Sequence, residues 1–133
     1  MYLCGNGGSA ANALHLANDW LSCGIKTQAL TADVATLTAL ANDEGYDSVF
    51  ARQIEVLGKP EELLIVLSGS GNSPNVLRAI EMASRKGLVT WAITGGGEAL
   101  TLADHVIKTP ANMQQSEERQ LVIGHQVRTN LDH

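Results

Sequence analysis

Leu63-Leu64-Ile65-Val66-Leu67 runs without a break into Ser68-Gly69-Ser70-Gly71-Asn72-Ser73-Pro74-Asn75. Five consecutive apolar residues leave no polar alternate, so the segment reads as a strand covered on both faces. Ser73 suits a helix N-cap and Pro74 the first helical position, which predicts a helix over 74–86. A strand buried on both sides, a short Gly/Ser join and then a helix point to a parallel sheet with helices on its faces.

The same alternation repeats outward from this centre. Upstream, 2–4 reads as a short strand. A helix is expected over 9–21, with Ala10, Ala13, Leu14, Ala17 and Leu21 on one face, and a second strand over 27–32. Residues 34–40 read as helix, Asn42-Asp43-Glu44-Gly45 as its break, and 47–57 as a further helix ended by Gly58-Lys59-Pro60. Downstream come a strand over 89–94, a turn at Gly95-Gly96-Gly97, a short helix over 98–103, a strand over 105–109 and a closing helix over 113–130. Five strands alternating with helices predict an α/β fold, a three-layer α/β/α sandwich around a five-stranded parallel sheet. Ligands of such sheets bind beyond the carboxyl ends of the strands, where the strand order reverses.

At 133 residues the chain has the size of one domain with one core. Its 44% hydrophobic and 17% charged content is that of a globular protein and argues against disorder. Acidic residues outnumber basic ones 14 to 9, and the basic ones are scattered. A nucleic-acid footprint needs clustered positive charge, so nucleic acid is not an expected partner. The longest nearly pure apolar run, 63–67, is far too short to span a bilayer, and no charged-then-apolar leader opens the sequence. Neither membrane insertion nor export is expected. Cys4 and Cys23 make no disulfide framework and fit a reduced, cytoplasmic setting. The first strand stands at the very start of the sequence, which fits a naturally minimal chain and a fragment alike.

Two Gly/Ser loops follow predicted strands. In Ser68–Ser73 the glycines admit backbone amides to a ligand, the hydroxyls of Ser68, Ser70 and Ser73 add donors, and the next helix offers its N-terminus. Such a loop can hold a phosphate without Lys or Arg; it also reads as an ordinary capped turn. It is not a Walker A loop, since Gly-Lys-Ser/Thr is absent. Gly5-Asn6-Gly7-Gly8-Ser9-Ala10 satisfies the short dinucleotide pattern G-x-G-x-x-A, with Asp33 rather late for the ribose acid. Two such loops at the ends of two parallel strands suggest opposite walls of one small polar pocket.

His15 and Asp19 lie four apart on one helix face, a spacing more common in surface hydrogen bonds than in metal sites. On the closing helix, Glu118 falls within about 20° of His125 and Glu117 about 80° away, so periodicity favours Glu118 as its partner. Two helices, each offering a carboxylate and a histidine, have donors suited to Zn²⁺. His105 and His133 read as structural or exposed.

Taken together, these segments resemble the sugar isomerase (SIS) domain family, and within it the bacterial phosphoheptose isomerases. The matching stretches are Leu3 to Ala11 with His15, Leu37-Thr38-Ala39-Leu40-Ala41-Asn42-Asp43, and Ser68 to Val76. Leu102-Ala103-Asp104 and Gly124-His125 complete the set. The resemblance implies one SIS domain over 1–133 with a flavodoxin-like five-stranded parallel sheet, lacking the family's N-terminal helical arm. It implies a cytoplasmic enzyme that isomerises sedoheptulose 7-phosphate to a heptose 7-phosphate through a metal-assisted enediol. Carried over by position, Ser68, Gly69, Ser70 and Ser73 hold the phosphate. Asn6, Gly7, Gly8, Asn42, Asp43 and Glu117 bind the rest of the substrate. His15, Asp19, Glu117 and His125 take the Zn²⁺-ligand positions, and Asp19 and His125 also the acid–base positions. The alignment thus prefers Glu117 where periodicity prefers Glu118.

Several positions depart from the family's usual residues. Asp19 replaces a common Glu, Glu117 a Gln, Gly69 a Thr and Cys23 an Arg. The Ala-Ala-Asn-Ala segment at 10–13 is similar to a non-catalytic branch, which leaves a module that only binds a sugar phosphate or a protein as the alternative. Because the family's active sites lie near subunit contacts, a homo-oligomer, dimer or tetramer, is expected, using Leu14, Leu21, Leu121 and Val122.

Overall fold

Strand β3 (Leu63–Ser68) is the middle strand of the sheet, as its unbroken apolar run requires. A computed structural model describes residues 1–131; His133 lies outside them. β3 pairs in parallel with β1 (Tyr2–Gly5) on one side and β4 (Val89–Thr94) on the other. β2 (Gln28–Ala29) and β5 (His105–Lys108) form the parallel edges, giving the order β2-β1-β3-β4-β5.

Alternate residues of β3 serve opposite layers. Leu64 and Val66 join Phe50 and Ile54, together with Val76 and Ile80 of α4 (Pro74–Arg85), in one core. Ile54 belongs to α3 (Ala51–Leu57). Ile65 and Leu67 meet Ala13, Leu16 and Trp20 of α1 (Gly8–Ser22) on the other face. Helix α6 (Met113–Leu131) packs against α1. Leu16, Trp20 and Leu67 are almost wholly buried, and each such side chain contributes about 1.5–3 kcal/mol. The three-layer α/β/α sandwich with five parallel strands is therefore as the sequence predicts.

Some boundaries differ. The strand expected over 27–32 shrinks to two residues because it is an edge, paired with β1 alone; Thr27 turns its hydroxyl to Ala17 O instead (2.7 Å). Helix α2 (Val34–Glu44) runs through Asn42, Asp43 and Glu44 and ends only at Gly45, whose φ of 94° needs a glycine. The helix expected over 47–57 divides into a 3₁₀ turn, Tyr46–Ser48, and α3, with Val49 and Phe50 fully buried between them. Helix α5 (Ala99–Leu102) is a single turn. No residue of α2 is fully buried.

Asp104 ties the sheet together: its carboxylate accepts from Thr90 N–H (2.9 Å) and the Thr90 hydroxyl, and its own N–H donates to that hydroxyl (2.9 Å). His105 stacks on Trp91 with centroids 4.5 Å apart. Asp33, weighed as a ribose acid, caps α2 by accepting from Ala35 N–H (3.0 Å) and Thr36 N–H (3.3 Å). The chain leaves β1 towards β2 and leaves β3 towards β4. Strand order reverses between β1 and β3, and the loops after Gly5 and Ser68 flank that crevice.

Candidate active site

The loop after β3 is built before any ligand arrives. Ser68 Oγ accepts from Gly71 N–H (3.0 Å) and Ser70 Oγ from Asn72 N–H (3.2 Å). Accepting these bonds leaves each hydroxyl its own proton to donate. Gly71 sits at φ 66°, and a Cβ there would run into Gly96 O. The loop after β4 braces it from behind, through Gly95 N–H to Gly69 O (3.2 Å), Ala99 N–H to Gly71 O (3.0 Å) and Glu98 N–H to Asn72 Oδ1 (3.0 Å). Ser73 occupies the N-cap position of α4, but its hydroxyl makes no capping bond.

These residues face a cavity of about 90 Å³ lined by Asn6, Ser9, Ser68, Gly69, Ser70, Ser73, Met113 and Glu117, with Leu67 at its base. Hydroxyls and the α4 N-terminus are what an anion of phosphate size would meet there. The Met113 thioether lies where a side chain at position 69 would be, so Gly69 makes room for it. The Glu117 carboxylate lies against Gly8, which has no side chain in its way. Glu118 is exposed and accepts from Gln114. Glu117 therefore faces the crevice and Glu118 does not.

Farther along α1, His15 and Asp19 meet His125 of α6. The two imidazole Nε2 atoms are 2.9 Å apart, and Asp19 Oδ2 lies 3.3 Å from His15 and 3.4 Å from His125. Asp19 Oδ1 faces the Arg128 guanidinium at 3.9 Å. The three ligand atoms form a compact triangle among the described residues. Its edges are close to the roughly 3.3 Å that a tetrahedral ion with zinc–nitrogen bonds of about 2.0–2.1 Å requires, so the donor set fits Zn²⁺. Of the four expected ligands, Glu117 is the one not brought into this triangle. It lies eight residues before His125, about 12 Å back along the helix, beside the small cavity.

The α1–α6 seam sets this geometry through residues that periodicity did not single out. Asn12 donates to Gln120 Oε1 and to Glu117 O (both 2.9 Å), and Gln120 donates to Ser9 Oγ (3.2 Å), all buried or half-buried. Trp20 donates to Gly124 O (3.2 Å). Small and amide side chains at i, i+4 spacing on both helices were the signal for this contact.

Asn6 lies in the crevice, paired with Asn75 of α4 through two amide hydrogen bonds (2.9 and 3.0 Å). The Tyr46 hydroxyl donates to Asn6 Oδ1 (2.8 Å). Gly7 and Gly8 form the turn into α1. Asn42 and Asp43 are exposed at the end of α2, bonded to each other (2.9 Å), and do not line the cavity.

The SIS domain family profile matches residues 1–95. Phosphoheptose isomerase of Aneurinibacillus thermoaerophilus is 41% identical over 132 residues, 92% of this chain and 67% of that protein. That of Akkermansia muciniphila is 43% identical over 133 residues, 93% of this chain and 70% of that protein. The solved phosphoheptose isomerase of Neisseria gonorrhoeae superposes with a TM-score of 0.90 at 33% identity, covering 98% of this chain and 75% of that one.

Proposed function

The chain belongs to the SIS domain family, among its phosphoheptose isomerases, and from that premise we propose that it interconverts sedoheptulose 7-phosphate and a heptose 7-phosphate. The observation that carries the reading is the placement of a prebuilt Ser/Gly cup and an imidazole–carboxylate triangle along one α1–α6 seam.

Ser68, Ser70, Ser73 and the α4 amides bind the phosphate, far from the reacting carbons, so their binding energy holds the sugar in register. Asn6, Gly7, Gly8 and Glu117 are assigned to the carbon chain, as are Asn42 and Asp43, which stand exposed at the end of α2 outside the small cavity. Asp19 carries the proton between C1 and C2, and His125 exchanges the oxygen-bound proton, giving an enediol between ketose and aldose. His15, Asp19 and His125 would hold zinc, which when bound polarises the carbonyl and hydroxyl oxygens. Asp19 has one oxygen towards the imidazoles and the other towards Arg128, so its two oxygens have different neighbours.

Leu14, Leu21 and Val122 expose 43%, 57% and 41% of their surfaces, which supports a homo-oligomer, at least a dimer; Leu121 packs instead against the core. Among the described residues no helix is long and apolar enough to cross a membrane. A phosphorylated sugar substrate supports a cytoplasmic setting.

The test is conversion of sedoheptulose 7-phosphate followed by aldose formation, with and without chelator. Asp19→Asn combined with His125→Ala is expected to lose activity by about a hundredfold or more. Binding of the ketose phosphate without any conversion would instead identify a non-catalytic module.

A further inference from the structure

We infer that Tyr46 is a positioning residue that acts through Asn6 to fix the sugar-binding side of the crevice; this rests on the isomerase reading above. Asn6 stands in a loop with Gly5, Gly7 and Gly8 around it, a backbone that by itself gives a side chain no fixed aim. Its direction comes from two partners distant in sequence. Asn75, 2% exposed in the first turn of α4, exchanges two amide hydrogen bonds with it (2.9 and 3.0 Å). Tyr46, half exposed in the turn after α2, donates its hydroxyl to Asn6 Oδ1 (2.8 Å).

The hydrogen-bonding capacity of Asn6 is then nearly used. Its oxygen accepts two hydrogen bonds, filling both lone pairs, and its nitrogen gives one of two hydrogens to Asn75. What remains for a ligand is one N–H donor with a set direction, suited to a sugar hydroxyl or carbonyl oxygen. Without the Tyr46 hydroxyl, Asn6 keeps only its two bonds to Asn75, and nothing from the segment after α2 holds that pair in place. The same bond fastens the segment bearing Asn42 and Asp43 to the loop after β1. Tyr46 therefore need not touch the reacting carbons to influence binding.

The experiment compares wild type, Tyr46→Phe, Asn6→Ala and the double variant in steady-state turnover of sedoheptulose 7-phosphate, with thermal unfolding as a fold check. Tyr46→Phe is expected to raise KM about three- to tenfold, the equivalent of one neutral hydrogen bond, with kcat changed less than about twofold. In the Asn6→Ala background the same substitution should cost nothing further. Wild-type KM in Tyr46→Phe, or an equal loss in both backgrounds, overturns the inference while leaving the isomerase reading intact. No turnover by wild type overturns both.

Discussion

Leu16 of α1 fills the space that a Cβ on Gly124 of α6 would occupy. The two helices touch there because one of them has no side chain, and His125 follows directly in the chain. Gly124→Ala must push α6 away or force Leu16 off its rotamer, at a cost of about 1–3 kcal/mol. Thermal or urea unfolding should show that loss. His125 should move away from His15 and Asp19, so metal affinity and turnover should fall as well. An unchanged midpoint would show that the seam yields more easily than its packing indicates.

Gln120 is fully buried, bonded to Asn12 and Ser9. Gln120→Leu keeps the approximate volume but leaves the Asn12 amide and the Ser9 hydroxyl short of partners. A stability loss of about 1–3 kcal/mol is expected in urea titration. The loss should be smaller in Asn12→Ala/Gln120→Leu than the sum of the single changes, because the two side chains share one network.

Metal binding separates the candidate ligands. Zinc titration by calorimetry, or cobalt titration by visible absorption, should show one site per chain. His15→Ala or His125→Ala should abolish it. Glu117→Gln should retain the stoichiometry, because that carboxylate lies against Gly8 and outside the triangle. Loss of the site in Glu117→Gln would mean that α6 shifts to bring the residue in.

The alkaline limit of stability follows from two buried groups. Burial pushes the Cys4 thiol above its ordinary value. Burial first, and then neighbouring Glu62, raises the Tyr2 phenol. Each binds its proton more tightly folded than unfolded, so its contribution is complete below the unfolded pKa and is lost as pH rises beyond it. For the thiol that decline begins near pH 8.5, and for the phenol near pH 10. Urea midpoints should fall between pH 8 and 10.5, and Cys4→Ala should flatten the lower part of the fall. A thiol reagent at pH 7.5 should modify Cys4 only after unfolding.

Much of the architecture is legible in the chain because each layer leaves its own mark. The unbroken run at Leu63–Leu67 places β3 in the middle of the sheet, and Ser73-Pro74 marks the start of α4. The edge strand was less legible, since β pairing at 27–32 depends on how many neighbours the strand has, which local pattern does not state. Asn42 to Glu44 read as a break by composition, yet only Gly45 takes a backbone angle that stops the helix. In the site, the resemblance chose Glu117 as the partner of His125 and an ideal 100° step pointed to Glu118; Glu117 stands beside the small cavity, outside the triangle of His15, Asp19 and His125. Tyr46, Asn75 and Arg128 had no local signal, because their partners Asn6 and Asp19 lie 40 to 109 residues away. Contacts of that kind exist only once the layers have assembled.

Helix α2 lies on the protein without a single fully buried residue, while the cup after β3 is held by strands on both sides and by the loop behind it. Backbone amides of α2 should therefore exchange with deuterium long before those of β3. Local openings that loosen α2 therefore leave the shape of the cup intact.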